Sequence, residues 1–145
     1  MKIVLQRVSK AKCTVDGIIT GAINKGYLLL IGFTNGDDPV KNQKAAKKIA
    51  NLRIFEDENE KMNWDIKRVS GKILAISQFT LYANTNEGNR PSFTEALNPV
   101  FAKELYYDFC NQLRTFDLEV AEGIFGAHMD IEFINDGPVT ILFEF

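Results

Sequence analysis

Nucleophilic chemistry has few starting points in this sequence. His128, in Gly126-Ala127-His128-Met129, is the only histidine, so a Ser-His or Cys-His pair would have to meet that one imidazole. No GxSxG elbow holds out a serine, and His128 reads as a surface or rim residue. Cys13 and Cys110 stand far apart, outside any CxxC or Cys/His ligand spacing. They signal neither a disulfide framework nor a zinc site, and both read as small buried apolar residues. Glu56, Asp57, Glu58 and Glu60 fall in a hydrophilic turn, which accounts for them without glycosidase or metal chemistry. GxGxxG and GxxxxGK[ST] do not occur, so nucleotide and metal cofactors are not signalled. An enzyme made from these residues would draw its power from backbone amides, substrate groups and positioned water.

Two segments offer that kind of chemistry. In Ser77-Gln78-Phe79-Thr80-Leu81, polar residues interrupt a buried strand at its end, where main-chain N–H groups could meet a developing oxyanion. In Asn135-Asp136-Gly137-Pro138-Val139-Thr140, glycine permits unusual backbone angles, and X-Pro bonds are the ones that readily turn cis. Taken locally, the first is also an ordinary strand end and the second an ordinary β-turn.

The elements that must position these segments follow from periodicity. The chain has 145 residues, the length of one compact domain, with 46% hydrophobic and 25% charged residues, ordinary values for a globular protein. Residues 2 to 9 and 11 to 16 are β-rich, Asp16-Gly17 is a hairpin signal, and Ile18 to Ile23 supplies the return strand. Gly26 opens the longest apolar run, Tyr27 to Phe33, which reads as a central strand covered on both faces. A helix follows, capped by Asp37 or Asp38, with Pro39 in its first turn and Ala45, Ala46, Ile49 and Leu52 on its inner side. Arg53-Ile54-Phe55 reads as a short strand, and Ile73 to Ile76 as a buried one leading into Ser77. Ala83 to Pro91 is loop. Phe101, Leu105, Phe109 and Leu113 recur every four residues, so Asn98 to about Phe116 reads as an amphipathic helix.

Near the C-terminus, Met129, Ile131 and Phe133 alternate with Asp130 and Glu132, and Ile141, Phe143 and Phe145 alternate with Leu142 and Glu144. This gives two strands, with Asn135 to Pro138 as the break between them. Pro138 then stands where a strand begins, which proline tolerates at an edge or a start. The order of elements points to a mixed α/β domain over residues 1–145, with two sheet layers and helices packed outside.

A net charge of −2 argues against indiscriminate nucleic-acid binding, although local basic faces exist. Lys41, Lys44 and Lys48 fall at helical spacing with Lys47 beside them, and Arg7, Lys10 and Lys12 gather near the first strand. Such runs are ordinarily solvated faces. Gln6 and Arg7 interrupt the first apolar stretch as no secretory signal would, and no run reaches about 18 apolar residues, so a cytoplasmic chain without a membrane span is expected.

With these residues in view, the sequence resembles the D-aminoacyl-tRNA deacylase family, whose motifs SQFTL and NxGPVT are matched at every fixed position. The likeness runs the length of the chain, through Leu5-Gln6-Arg7-Val8, Arg53-Ile54-Phe55, Lys61-Met62-Asn63, Arg90-Pro91-Ser92-Phe93 and Phe125-Gly126-Ala127-His128-Met129. It implies a hydrolase of the ester bond of D-aminoacyl-tRNA, and of mischarged Gly-tRNA, that spares L-aminoacyl-tRNA and needs no cofactor or metal. It also implies a homodimer in which a cis Gly137-Pro138 bond reaches into the partner's pocket and faces the SQFTL segment. Ser77, Gln78, Phe79 and Thr80 would form the catalytic centre, the first three holding the terminal adenosine and the carbonyl through their backbone. Gly137 and Pro138 would be the chiral gate, Arg7 its prop, and Met129 and Thr140 part of the substrate-binding group. The family picture adds help from the substrate's own ribose 2′-OH.

The departures from the family pattern are small. His128 stands where relatives commonly carry an acidic residue, and Asp136 fills the variable motif position. Glu60 stands where glycine is common, with Asn59 able to take the left-handed angle instead. Two rival readings are a covalent mechanism with Thr80 as nucleophile and a non-catalytic nucleic-acid-binding module using the Lys41 to Lys48 face. No side-chain base is evident for the first. Intact motifs and negative net charge oppose the second.

Overall fold

A computed structural model describes residues 1–145. Strand β1 (Lys2–Val15) runs without interruption across both β-rich stretches and turns at Asp16 and Gly17, whose φ values of 49° and 78° suit an Asp-Gly hairpin. Strand β2 (Ile18–Ile23) returns along its second half, and β3 (Gly26–Gly32) pairs antiparallel with its first half. Helix α1 (Pro39–Ala50) follows, with the Asp38 side chain accepting from the Lys41 N–H and Pro39 in the first turn. A small hairpin of β4 (Phe55–Glu56) and β5 (Met62–Trp64) stands apart from the main sheet. Strand β6 (Lys72–Ser77) then enters parallel to β3, helix α2 (Pro99–Arg114) crosses back, and β7 (Val120–Glu122) pairs parallel with β6. Strand β8 (Asp130–Glu144) closes the chain against β1. No helix is long and apolar enough to cross a membrane.

Residues on β3 and β6 face alternately into two cores. Tyr27, Leu29, Ile31, Ile73 and Ala75 join Ile49, Phe109 and Leu113 of the helices, while Leu28, Leu74 and Ile76 join Val8, Cys13 and Ile23 on the opposite face. The second core exists because the sheet curls: Gly21 of β2 lies so close to β7 that a Cβ there would be 2.8 Å from the Glu122 carbonyl oxygen. The expected mixed α/β fold is thus present, its second sheet layer made by this curl and both helices on one side. Gly26 is needed for the parallel pairing, since at φ +155° a Cβ would fall 1.8 Å from the Lys72 carbonyl oxygen.

Four sequence expectations need correction. The short strand expected at Arg53 to Phe55 lies at Phe55–Glu56, because Arg53 donates to the Asn63 carbonyl and Ile54 presents its own carbonyl to Arg7. The left-handed turn residue is Glu60 at φ 60°, not Asn59; the Asp57 carboxylate takes the N–H groups of Asn59 and Lys61 and so fixes the turn around it. β7 had no counterpart in the expected elements. The two C-terminal strands are one, β8, because Asn135 to Pro138 bulges away from β1 without ending the pairing.

Candidate functional site

The parallel strands β3 and β6 end together, Ile31 opposite Ser77. Gln78 closes this end by donating its N–H to the Ile31 carbonyl at 2.7 Å. The chain then tightens into a one-turn 3₁₀ helix, Phe79–Tyr82, which no side chain caps. The leading N–H groups of such a turn have no intrahelical acceptor, so the amides of Phe79 and Thr80 are available donors. They stand beside a cavity of about 560 Å³.

The cavity is lined by Ser77, Gln78 and Phe79, by Asn98 and Pro99 at the start of α2, and by the segment Phe125 to Met129. Phe93 leans in from the loop before α2 and meets Phe79 edge-on, ring centroids 5.1 Å apart. His128 is the only ionisable lining residue; its imidazole is almost fully exposed and lies 3.7 Å from the Asp130 carboxylate. Thr80 lies just outside, its hydroxyl accepting from the Gln78 side-chain amide. Below the cavity, Tyr106 donates to the Ala75 carbonyl at 2.8 Å, and burial pushes the Cys110 thiol up to about 12, so no thiolate nucleophile forms there. No three His, Cys, Asp or Glu side chains converge anywhere in the fold.

The second motif is built on β8. Gln6 pairs with Thr140 and Val8 with Asn135, so four residues, Asp136 to Val139, stand opposite Arg7 alone. The excess is thrown outward as a bulge that carries a cis Gly137-Pro138 bond. Arg7, only 4% exposed, underpins the bulge. Its Nε donates to the Asp136 carbonyl at 3.2 Å and its Nη1 to the Ile54 carbonyl at 2.7 Å, with Glu56 3.6 Å from Nη2. Asn135 braces the other end, its Oδ1 accepting from the Val139 N–H at 3.2 Å and its Nδ2 donating to the Thr140 hydroxyl at 3.0 Å. Gly137 and Pro138 are exposed at the apex.

Of the sequence-predicted residues, Ser77, Gln78, Phe79 and Met129 are thus brought together around the cavity. Arg7, Gly137, Pro138 and Thr140 form a separate cluster on β1 and β8, and none of them lines the same chain's cavity. Phe93, Asn98, Pro99 and Phe125 were not among the predicted site residues. The aromatic that follows a Gly- and Asn-rich loop and the Asn-Pro that starts a helix were the available signals.

A family model described as D-Tyr-tRNA(Tyr) deacylase matches residues 4–144. A D-aminoacyl-tRNA deacylase of Fusobacterium nucleatum is 54% identical over 144 residues, which cover 99% of this chain and 95% of the relative. One of Deinococcus radiodurans is 51% identical and covers 99% of both chains. Among solved structures, one titled c-Myc DNA Unwinding Element Binding Protein superposes with a TM-score of 0.91 at 39% identity, covering 99% of this chain and 98% of its own. A probable eukaryotic D-amino acid tRNA deacylase, 17% identical, has the same fold at a TM-score of 0.85 over 98% of this chain and 97% of its own.

Proposed function

The chain belongs to the D-Tyr-tRNA(Tyr) deacylase family, whose members hydrolyse the ester bond of D-aminoacyl-tRNA, and we propose that it does so with main-chain groups from two protomers. The observation that carries this reading is the uncapped 3₁₀ turn at the cavity wall. An aminoacyl ester is already an activated acyl group. A pre-organised amide donor, worth about 3 kcal/mol at the transition state, together with an oriented water therefore suffices without a side-chain base. The terminal adenosine occupies the cavity, its ester carbonyl facing the Phe79 and Thr80 amides. Water adds to the carbonyl carbon and gives up a proton, the oxyanion rests on those amides, and its collapse breaks the ester C–O bond as the ribose oxygen takes up that proton.

The gate comes from a second copy. Gly137 and Pro138 project from a rigid bulge yet stand away from their own cavity, which supports a homodimer in which each bulge reaches the partner's pocket. β8 has one unpaired edge and exposes Phe133, Ile134 and Leu142 at 39%, 51% and 60%, a surface suited to an isologous contact. There the main-chain carbonyls of the gate exclude an L side chain by collision, while a D side chain points to solvent. Glycine has nothing to collide, so Gly-tRNA passes as well. Residues 1–145 act as one deacylase domain, in the cytoplasm where charged tRNA is used.

The test is turnover of three substrates side by side. D-Tyr-tRNA and Gly-tRNA should be cleared well above their spontaneous rates while L-Tyr-tRNA persists. D-Tyr-tRNA decaying at its spontaneous rate refutes the hydrolase, and equal clearance of the L form refutes the gate.

A further inference from the structure

Helix α1 carries Lys41, Lys44, Lys47 and Lys48 and no acidic residue, in a chain whose net charge is −2. Its inner side is filled by Asn42, Ala45, Ala46, Ile49 and Ala50, which turns Lys44, Lys47 and Lys48 to solvent. Lys41 is the only one of the four with an acidic partner, Asp37 at 2.9 Å. The other three form one unneutralised patch, since side chains three and four residues apart on a helix are surface neighbours.

The fold sets the start of this helix near the cavity. α1 begins at Pro39, five residues after Thr34, which follows the cavity residue Phe33 and bridges to the cavity residue Ala96. α2 begins at the cavity with Asn98 and Pro99. Asn42 locks the two helices together, its Nδ2 donating to the Leu105 carbonyl at 2.9 Å and to the Asp108 carboxylate at 2.7 Å. Both helices therefore start at the cavity end of the sheet, and Lys44 to Lys48 lie about 8 to 14 Å along α1 from its first residue, at 1.5 Å rise per residue.

We infer that this face of α1 is the docking surface for the phosphate backbone of the RNA duplex whose 3′ end enters the cavity. The inference rests on the deacylase reading and adds to it where the body of the substrate lies. A tRNA end seated in the cavity must carry its duplex stem past the cavity mouth, and flexible ammonium groups are suited to phosphates of a helix whose deep groove side chains do not read. Contact of this kind is independent of base sequence and weakened by salt.

The measurement is the salt dependence of binding and of turnover for the parent and for a Lys44→Gln, Lys47→Gln, Lys48→Gln triple variant. Binding is read by fluorescence anisotropy of a labelled RNA hairpin that copies an acceptor stem, and turnover with D-Tyr-tRNA and with 3′-(D-tyrosyl)adenosine, which has no phosphate. Each lost phosphate contact removes about 0.7–0.9 from the slope of log affinity against log salt, so the hairpin slope should fall by about 2–3. KM for D-Tyr-tRNA should rise by about tenfold or more at physiological salt, with kcat and the cleavage of tyrosyl-adenosine unchanged.

Lys47 and Lys48 also lie in the last turn of α1, where they offset the helix dipole. If that is their whole purpose, the variant melts at a lower temperature while hairpin slope and KM stay at parental values, and the inference is overturned. A parent that cleaves neither substrate but shows the slope change on the hairpin retains the docking surface and refutes the deacylase reading instead.

Discussion

Arg7 grips Asp136 twice, its Nε lying 3.2 Å from both the main-chain carbonyl oxygen and the carboxylate of that residue. The guanidinium is nearly buried and also holds the Ile54 carbonyl at 2.7 Å, so it ties the outward bulge of β8 to the segment before β4. Removing it leaves two carbonyls without their donor and a hole beneath the bulge. Arg7→Ala should lower unfolding free energy by about 2–4 kcal/mol, read from urea titrations. Its clearer signature is chemical: the ratio of D- to L-Tyr-tRNA hydrolysis should fall because the gate loses its fixed position. Arg7→Lys should restore little of that ratio, since an ammonium cannot span carbonyls lying in different directions. An unchanged D/L ratio in Arg7→Ala would show that the bulge holds itself.

Thr80 has the one aliphatic hydroxyl in the helical turn Phe79–Tyr82, yet it accepts from the Gln78 side-chain amide, which is no base, and lies outside the cavity wall. Thr80→Ala should keep kcat within about threefold of the parent, because the amide of residue 80 survives the substitution. Isolation of a labelled acyl group on Thr80 from a quenched reaction would reverse this conclusion.

How far the sequence reveals this arrangement depends on how local the causes are. Asp16-Gly17 and the Asp38-Pro39 start of α1 are decided by the backbone preferences of two residues each, and both stand where they read. β7 is different: three residues carry no period, and the strand exists through its parallel pairing with β6 and the Arg114 side chain, which donates to the Val120 carbonyl at 2.9 Å. At Asn135 to Pro138 every local signal says turn. Continuous pairing on β1 overrides it, and the three residues in excess go into a bulge that the side chain of Arg7 fills from a position far off in the chain. The same holds for the site. SQFTL and NxGPVT stand out locally as a polar strand end and a Gly-Pro turn, but only family likeness joins them into one site, and their separation within one chain follows from the topology, which no local pattern encodes. Phe93 and Phe125 stand in recognisable stretches of sequence, but only folding brings them to the cavity wall.

Asp37 is a side chain whose environment works both ways. Burial raises its pKa, but hydrogen bonds from the Met1 amino group at 2.8 Å, the Thr34 N–H at 2.8 Å and Lys41 at 2.9 Å outweigh burial and hold it below the ordinary value of 3.8. A carboxylate depressed on folding contributes stability that is complete above the unfolded pKa and disappears as pH falls through the folded one. Asp37→Asn should therefore be less stable than the parent at neutral pH, and the gap should close as pH is lowered from about 5 to below the depressed pKa. Urea midpoints across that range would measure it. A gap that stays constant down to the acid transition would mean that the carboxylate charge contributes nothing.

Gly137 decides whether two chains build one site. Its φ is +128°, and a Cβ there would lie 2.8 Å from the Val139 side chain and 3.3 Å from Arg7 Nη2, so Gly137→Ala must distort the gate. The opposite half can be disabled by Phe79→Pro. Proline is accepted at the first position of a helical turn and removes the amide N–H proposed to receive the oxyanion. Each homodimer should be nearly inactive on D-Tyr-tRNA, Phe79→Pro for want of the amide and Gly137→Ala because a displaced bulge obstructs the partner's cavity instead of gating it. If each bulge serves the other chain's cavity, exchanging subunits between the two variants creates heterodimers in which one site has an intact gate and an intact wall. Random exchange makes half the dimers mixed and one site in two complete, so activity should recover to about a quarter of the parental value. A mixture that shows full exchange yet stays at the sum of its two inactive parents would place gate and wall in the same chain. A parent that sediments as a monomer while fully active would lead to the same conclusion.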